Sequence, residues 1–216
     1  MSARMEKKYK LVIVGDSAFA EIAYEYFTYE SEYRVVTFAV EEEFLTRDRL
    51  CGLPVVPFGS VEKFYAPGSH SVFVATTYTE KNTLRARLYD GAKQKGYAPA
   101  SYISSHAFIW QNCRIGEHCF ILENNVIQPF VSIGDNVVVW SANHIGHHSV
   151  IRANCFISSH VVISGFVQVG ESCFIGVNAT VANNITIGNN CVIGAGALVL
   201  SDVEDGETIF GTWKKR

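Results

Sequence analysis

Six of the seven histidines in this 216-residue chain, His106, His118, His144, His147, His148 and His160, lie between residues 101 and 165. Three of them fall within the run Asn143-His144-Ile145-Gly146-His147-His148. A neutral imidazole takes up a proton near pH 7, so the cluster suits general-base chemistry in which an amine or hydroxyl is deprotonated as it attacks an acyl carbon. Such a base is commonly oriented by a carboxylate, and none adjoins His147 in the sequence. Glu123 or a partner subunit is the expected source, with His148 as an alternative that orients or relays through a neutral ring nitrogen. His106, His118 and His160, scattered singly, are expected to be exposed or interface residues without a chemical role.

The elements that must hold these residues follow a six-residue period. Every sixth residue from Ile103 to Val199 is Ile or Val, seventeen in register. If the two types made up about one residue in five, chance would give this with a probability on the order of 10⁻¹². Each hexad supplies a short strand and a bend, and three hexads close a triangular coil. The stack is then a prism of somewhat under six coils, roughly 27 Å tall. The Ile or Val points inward and the residue four later packs beside it.

Five of the six cysteines, Cys113, Cys119, Cys155, Cys173 and Cys191, occupy that second inward phase and read as small buried hydrophobes. No CxxC pair exists, which argues against a thiolate zinc site. Asn125 and Asn143 share the phase one coil apart, which predicts a hydrogen-bonded ladder, with steadying of His147 by Asn143 as the functional alternative. Gly116, Gly134, Gly146, Gly170, Gly176, Gly188 and Gly194 directly follow inward residues, where the backbone is expected to bend. His147 takes the third place of its hexad, near a corner, and projects outward. Trp140 is also outward, suited either to stacking on a ligand ring or to packing. Gly165 lies one coil beyond His147, where it either bends the coil or offers a backbone N–H to a developing oxyanion.

Residues 1–100 read differently, as alternating strands and helices. Leu11–Val14 is a strand ending at Gly15, and Asp16 or Ser17 caps a helix carrying Phe19, Ile22, Ala23 and Phe27. Strands follow at Val35–Val40 and Ser71–Thr76, and Thr79 opens a helix with Leu84, Leu88 and Ala92 on one face. This rhythm predicts a small parallel, Rossmann-like α/β domain whose first helix N-terminus could receive a phosphate. The fold class is therefore an α/β N-terminal domain over 1–100, followed by an all-β parallel β-helix over 101–216. Residues 201–216 are expected to cap one end of the helix and the N-terminal domain the other.

Composition excludes several alternatives. A formal charge of −3, with 48% apolar and 18% charged residues, offers no basic field for nucleic acid. The polar start MSARMEKKYK is neither a signal peptide nor a membrane span, so a cytoplasmic protein is expected. GDSAFA after the first strand lacks the G-x-G-x-x-G spacing of a dinucleotide-binding oxidoreductase. A histidine-metal hydratase and a non-catalytic scaffold remain as other readings.

The hexads IGEHCF, IGDNVV, IGVNAT, IGNNCV and IGAGAL, preceded by the βαβ domain, resemble the left-handed β-helix of the bacterial sugar acyltransferases. That family includes sialic acid O-acetyltransferases and nucleotide-linked amino-sugar N-acetyltransferases. The segment NHIGHHSVI, residues 143–151, is similar to the stretch in which the family's catalytic His precedes an acidic residue, here replaced by His148. The resemblance implies His147 and His148 as catalytic residues and acetyl-CoA as acyl donor, met by Gly165, Phe166, Gly194 and Lys214, with no metal. It implies a nucleotide-linked sugar held by Gly15, Asp16, Ser17, Trp140, Asn143 and His144, and a homotrimer with sites between adjacent prisms. N-acetylation is the leading activity and O-acetylation the alternative. The chain departs from the family in keeping only Gly15 of a glycine-rich loop. It also ends in Gly211-Thr212-Trp213-Lys214-Lys215-Arg216, where the family has G-x-P-A-K/R.

Overall fold

Two kinds of hydrophobic pattern give two kinds of structure in the computed structural model, which describes residues 6–78 and 81–215. Residues 6–78 with 84–102 make one compact unit, and residues 81–83 with 103–215 another. No helix among the described residues is long and apolar enough to cross a membrane.

In the first unit, β1 (Tyr9–Val14) has its last four residues buried, as a central parallel strand covered on both faces must. It is followed by α1 (Ala18–Glu30), β2 (Tyr33–Val40), β3 (Arg49–Leu50), β4 (Leu53–Pro57), β5 (His70–Val74), α2 (Thr83–Gln94) and β6 (Ala98–Pro99). The sheet order is β3-β4-β2-β1-β5-β6, parallel except for the β3–β4 pair. Phe19, Ala23 and Phe27 of α1 are buried, as their spacing predicts. Thr79, the expected start of the second helix, lies outside the described residues, and that helix begins at Thr83.

The second unit is the expected parallel β-helix of hexapeptide repeats. Its first wall runs from Tyr102–Ile103 through Phe120–Ile121, Val138–Val139, Phe156–Ile157, Phe174–Ile175 and Val192–Ile193 to Thr208–Ile209. The second wall runs from Phe108–Ile109 through Val126–Ile127, His144–Ile145, Val162–Ile163, Thr180–Val181 and Leu198–Val199 to Thr212–Trp213. The third has five strands, from Arg114–Ile115 to Thr186–Ile187. Partners lie eighteen residues apart up to the last coil, as in Val126↔His144 and His144↔Val162, and closer at the C-terminal end, where Val192 pairs with Thr208 and Leu198 with Thr212.

From Cys119 onward the inward ladder is buried, while its first rung, Ile103, is 42% exposed. Ile121, Ile127, Val139, Ile145, Ile151, Ile157 and Ile163 are each fully buried, with Cys119, Cys155, Cys173 and Cys191 beside them. These four thiols share one column and donate to the carbonyls of Gly134, Gly170, Gly188 and Glu204 at 3.2, 3.0, 3.0 and 2.9 Å. Contact with the neighbouring Cys155 thiol, and then burial, push the Cys173 thiol up to about 12.

One expectation about the prism is corrected and another is extended. The glycines that follow inward residues are not its bends. The left-handed backbone falls two residues later, at thirteen non-glycine positions of the repeats with φ between 56° and 66°, six of them Asn. A glycine such as Gly146 serves close stacking instead, since a Cβ there would stand 2.5 Å from the Ser164 carbonyl carbon of the next coil. The C-terminal segment also does more than cover an end. It adds parallel strands at Thr208–Ile209 and Thr212–Trp213, so that two walls reach seven strands, a height of about 29 Å at about 4.8 Å per strand spacing. Trp213 takes the inward phase opposite Val199 and packs against the core, where its bulk fills the end of the ladder.

Candidate active site

His147 stands where the second wall turns into the third, directly after the strand His144–Ile145. The inward Ile145 anchors that strand, and the tight Gly146 brings the next coil close. The His147 backbone N–H donates to Gln128 Oε1 at 3.0 Å, which pins the corner to the coil below. Its imidazole lies over Gly165 of the coil above: a Cβ on Gly165 would stand 2.8 Å from His147 Cε1 and 2.9 Å from Nε2. The ring is exposed, and its Nδ1 is 3.1 Å from Nδ1 of His148.

His148 is one of the left-handed residues, as are Phe130 one coil below and Phe166 one coil above. The shared conformation and eighteen-residue spacing stack the three side chains. The His148 ring lies 4.5 Å from Phe130 at 24° and 4.7 Å from Phe166 at 16°. His147 meets His148 and Phe166 edge-on, at 5.3 and 5.1 Å. His144 occupies the outer face of the strand leading into this corner, half-buried between Val126 and Val162.

Other expected site residues are placed differently. Asn143 points into the prism and is buried, so it makes no substrate contact. Its Oδ1 accepts from Val161 N at 2.7 Å and its Nδ2 donates to the Trp140 carbonyl at 2.6 Å. Asn125 below it accepts from Asn143 N at 3.0 Å, so the ladder exists, but it is built from amide-to-backbone bonds and does not reach His147. Glu123 does not orient His147. It follows a first-wall strand, at a different corner, and its carboxylate accepts from Ser141 Oγ at 2.6 Å. Trp140 and Gly194 follow first-wall strands too; Trp140 packs 6.3 Å from Phe156, and a Cβ on Gly194 would meet the Phe210 ring at 2.4 Å. At Gly165, expected to meet acetyl-CoA, the space beside the Cα is taken by the His147 ring. The Gly165 N–H donates to Asn183 Oδ1 at 3.1 Å, which removes it as an oxyanion donor.

His118, expected on the surface, is fully buried, with Nδ1 2.8 Å from Asn136 Oδ1. The sequence pattern does not single out Phe130 or Gln128. Stepping back eighteen residues from His148 finds the first, and nineteen from His147 the second. Lys214 follows the last second-wall strand, so it belongs to the same prism edge as His147. The Lys215 N–H donates to Ser201 Oγ at 3.0 Å, and its ammonium pairs with Glu204 at 2.8 Å.

The first unit carries a cavity of about 240 Å³ at the carboxyl ends of β1, β2 and β5, where the strand order reverses across β1. Gly15, Asp16, Ser17, Val40, Glu41, Phe44, Thr76 and Thr77 are among its lining residues. Gly15 has φ +120°, and a Cβ there would lie 2.6 Å from the Ala75 carbonyl oxygen, so only glycine fits. Ser17 is the N-cap of α1 by position but makes no side-chain cap hydrogen bond; its carbonyl accepts from Ala20 N at 2.8 Å and Glu21 N at 3.2 Å. Asp16 pairs with Arg47 at 3.4 Å. Glu41 pairs with Arg87 at 2.6 and 2.9 Å, and the hydrogen bond from Arg87 holds its carboxyl below the usual carboxylate range. Among the described residues, no three or more His, Cys, Asp or Glu side chains cluster as they would around a metal ion.

Comparison with known proteins places this geometry in a group. The bacterial transferase hexapeptide family (six repeats) matches residues 112–142 and 166–201. Among curated proteins none matches the chain. Among solved structures, a histidine-to-asparagine mutant of perosamine N-acetyltransferase from Caulobacter crescentus, in complex with CoA and GDP-perosamine, is similar at 26% identity and a TM-score of 0.82, covering 92% of each chain. The acetyltransferase domain of PglB from Neisseria gonorrhoeae is similar at 25% identity and a TM-score of 0.81, covering 93% of this chain and 96% of that one. WeeI from Acinetobacter baumannii shares the fold at 20% identity and a TM-score of 0.75, covering 94% and 97%. The resemblance to bacterial sugar acyltransferases seen in the hexads is borne out by the repeats and by these structures.

Proposed function

We propose that this chain, whose repeats are those of bacterial transferases, moves an acetyl group from acetyl-CoA to an amine on a nucleotide-linked sugar, with His147 as general base. The observation that carries the reading is the exposed His147 imidazole. It is seated on Gly165 at a corner of the prism, where the inward ladder does not require it. The Caulobacter acetyltransferase, a relative in fold along nearly its whole length, was crystallised with CoA and a nucleotide-linked amino sugar.

The amine nitrogen attacks the thioester carbonyl while Nε2 of His147 takes its proton, and the proton then goes to the departing thiolate. Acetyl-CoA runs along the edge shared by His147 and Lys214, a span of about 19 Å at about 4.8 Å per coil, which is compatible with an extended pantetheine arm. Lys214 meets the phosphate end and Phe166 borders the thioester end. The nucleotide occupies the cavity at Gly15, Asp16 and Ser17, its phosphates on the first turn of α1. Phe108, Val126 and Val162 on the outer face of the second wall are 54%, 37% and 39% exposed, an apolar surface suited to the neighbouring copy of a trimer.

The deciding experiment follows thiol release from acetyl-CoA with a panel of nucleotide-linked amino sugars and their hydroxy counterparts. Turnover with an amino acceptor is expected, and a fall on the order of 10²-fold or more in His147→Asn with melting temperature preserved. Turnover with the hydroxy sugars alone would make the enzyme an O-acetyltransferase using the same base. No release with any acceptor, or an unimpaired His147→Asn, would overturn the reading.

A further inference from the structure

The position next to the base departs from the acidic pattern by holding a second imidazole, and the structure surrounds that imidazole with unusual features. Of the thirteen left-handed non-glycine positions in the prism, six are Asn, a residue that tolerates this conformation. Three more, His118, His148 and His160, are histidines, which also adopt it readily, whereas Phe130 and Phe166, one coil on either side of His148, hold phenyl rings there at φ 66° and 60°. A phenylalanine in this region is strained, and such strain persists where surrounding structure or function demands it. Its result is the stack that fixes the His148 plane and directs Nδ1 at His147 Nδ1, 3.1 Å away, with the two rings at 89°.

Among the described residues, none of the side chains that this chain brings to the corner is a carboxylate. The coils below and above bring Gln128, Pro129, Ser164 and Gly165 to the corner. The strand entering it carries His144 and the strand leaving it carries Val150, so among the described residues His144 is the further titratable side chain on the elements meeting there. Two facing Nδ1 atoms share one proton at most, since an N–H on each would oppose the other.

We propose that His148 is the positioning residue of the base: neutral and protonated at Nε2, it accepts the Nδ1 proton of His147 and so leaves the Nε2 lone pair of His147 for the acceptor amine. The inference rests on the acetyltransferase reading above and assigns it a dyad of two imidazoles. As the amine lone pair forms the C–N bond and the carbonyl π pair moves to oxygen, the amine proton goes to His147 Nε2. The resulting His147 cation, with N–H at both ring atoms, is held by the lone pair of His148 Nδ1. Collapse returns the electron pair from oxygen, breaks the C–S bond, and the thiolate takes the proton from Nε2. The Phe faces on both sides of His148 favour any positive charge it shares.

Two variants and one spectrum test this. His148→Phe keeps a three-ring stack but has no acceptor, and its kcat is expected to fall about 10²-fold with little change in KM for acetyl-CoA. His148→Glu restores an acceptor and is expected to retain kcat within about ten-fold of the wild type. Its anionic charge stabilises protonated His147, so the acid limb of its kcat/KM profile moves to higher pH. Long-range ¹H–¹⁵N correlation on the full-length wild type is expected to show His147 as the Nδ1–H tautomer and His148 as the Nε2–H tautomer. Wild-type kcat in His148→Phe, or an Nε2–H tautomer at His147, would overturn the dyad. If the wild-type protein transfers no acetyl group at all, the functional reading fails, and the spectrum alone still decides the pairing of the two rings.

Discussion

The imidazole of His147 occupies the space that a side chain on Gly165 would need, with its Cε1 and Nε2 atoms 2.8 and 2.9 Å from where that Cβ would be. The proposed base and the glycine are therefore one device, contributed by residues on successive coils. Gly165→Ala is expected to displace the ring and lower kcat by about ten-fold or more, since small misplacement of a reacting group is costly. Gly165 does not have the left-handed backbone that would strain an alanine, so the far-ultraviolet circular dichroism and thermal midpoint should stay close to wild type. Unchanged kcat with a shifted midpoint would contradict this pairing.

Asn143 belongs to the scaffold. Asn143→Ala leaves Val161 N–H without its acceptor and removes one donor from the Trp140 carbonyl, at about 1–3 kcal/mol for a buried group left unsatisfied. Urea unfolding should register that loss. Activity measured well below the midpoint should remain near that of the wild type.

The Glu41–Arg87 pair gives the first unit a pH-dependent contribution. The hydrogen bond from Arg87 lowers the carboxyl below its ordinary value in the folded state, so the stabilisation is present above the unfolded carboxylate range and is lost as pH falls through the lowered folded value. Arg87→Gln should accordingly reduce stability at neutral pH and converge with the wild type in acid. Both side chains are partly exposed, so the difference is small and shrinks with added salt. Denaturant midpoints across the acid range would reveal it, and a gap that widened toward low pH would refute it.

Thiol reactivity reports the integrity of the prism. Cys51 is exposed and Cys113 partly so, while Cys119, Cys155, Cys173 and Cys191 are buried. With the Cys173 thiol pushed up to about 12, that group is protonated at any ordinary assay pH. A disulfide reagent at pH 8 should therefore modify Cys51 rapidly and Cys113 slowly, and reach the remaining four only on unfolding. Rapid modification of all six in the native protein would be incompatible with the burial of this column.

The six-residue period determined most of the second unit by itself. Because alternate residues of each short strand face opposite sides, the Ile/Val ladder alone identifies the inward phases, explains the buried cysteines and asparagines, and sets His147 outward at a corner. Counting by eighteens from the known coil would also have set Glu123, twenty-four residues before His147, at another corner and Phe130 and Phe166 on either side of His148, although the residue types there do not mark them. The strand–helix alternation of the first hundred residues likewise yields the parallel sheet and puts Gly15 at the end of its first strand.

Tertiary structure decided what happens between coils. The period does not say which hexad position takes the left-handed backbone, since Asn, His, Phe, Ala and Ser all occupy it. Nor does it say how a side chain rotates. Gly165 reads as room for a ligand until the His147 ring is seen above it, and its N–H reads as available until Asn183 is seen to hold it. Both facts depend on side-chain direction across an eighteen-residue separation, which local spacing cannot encode. The pairing of His147 with His148 is of the same kind: adjacency brings them near, but the rings of Phe130 and Phe166, a coil away on either side, fix the angle at which they meet.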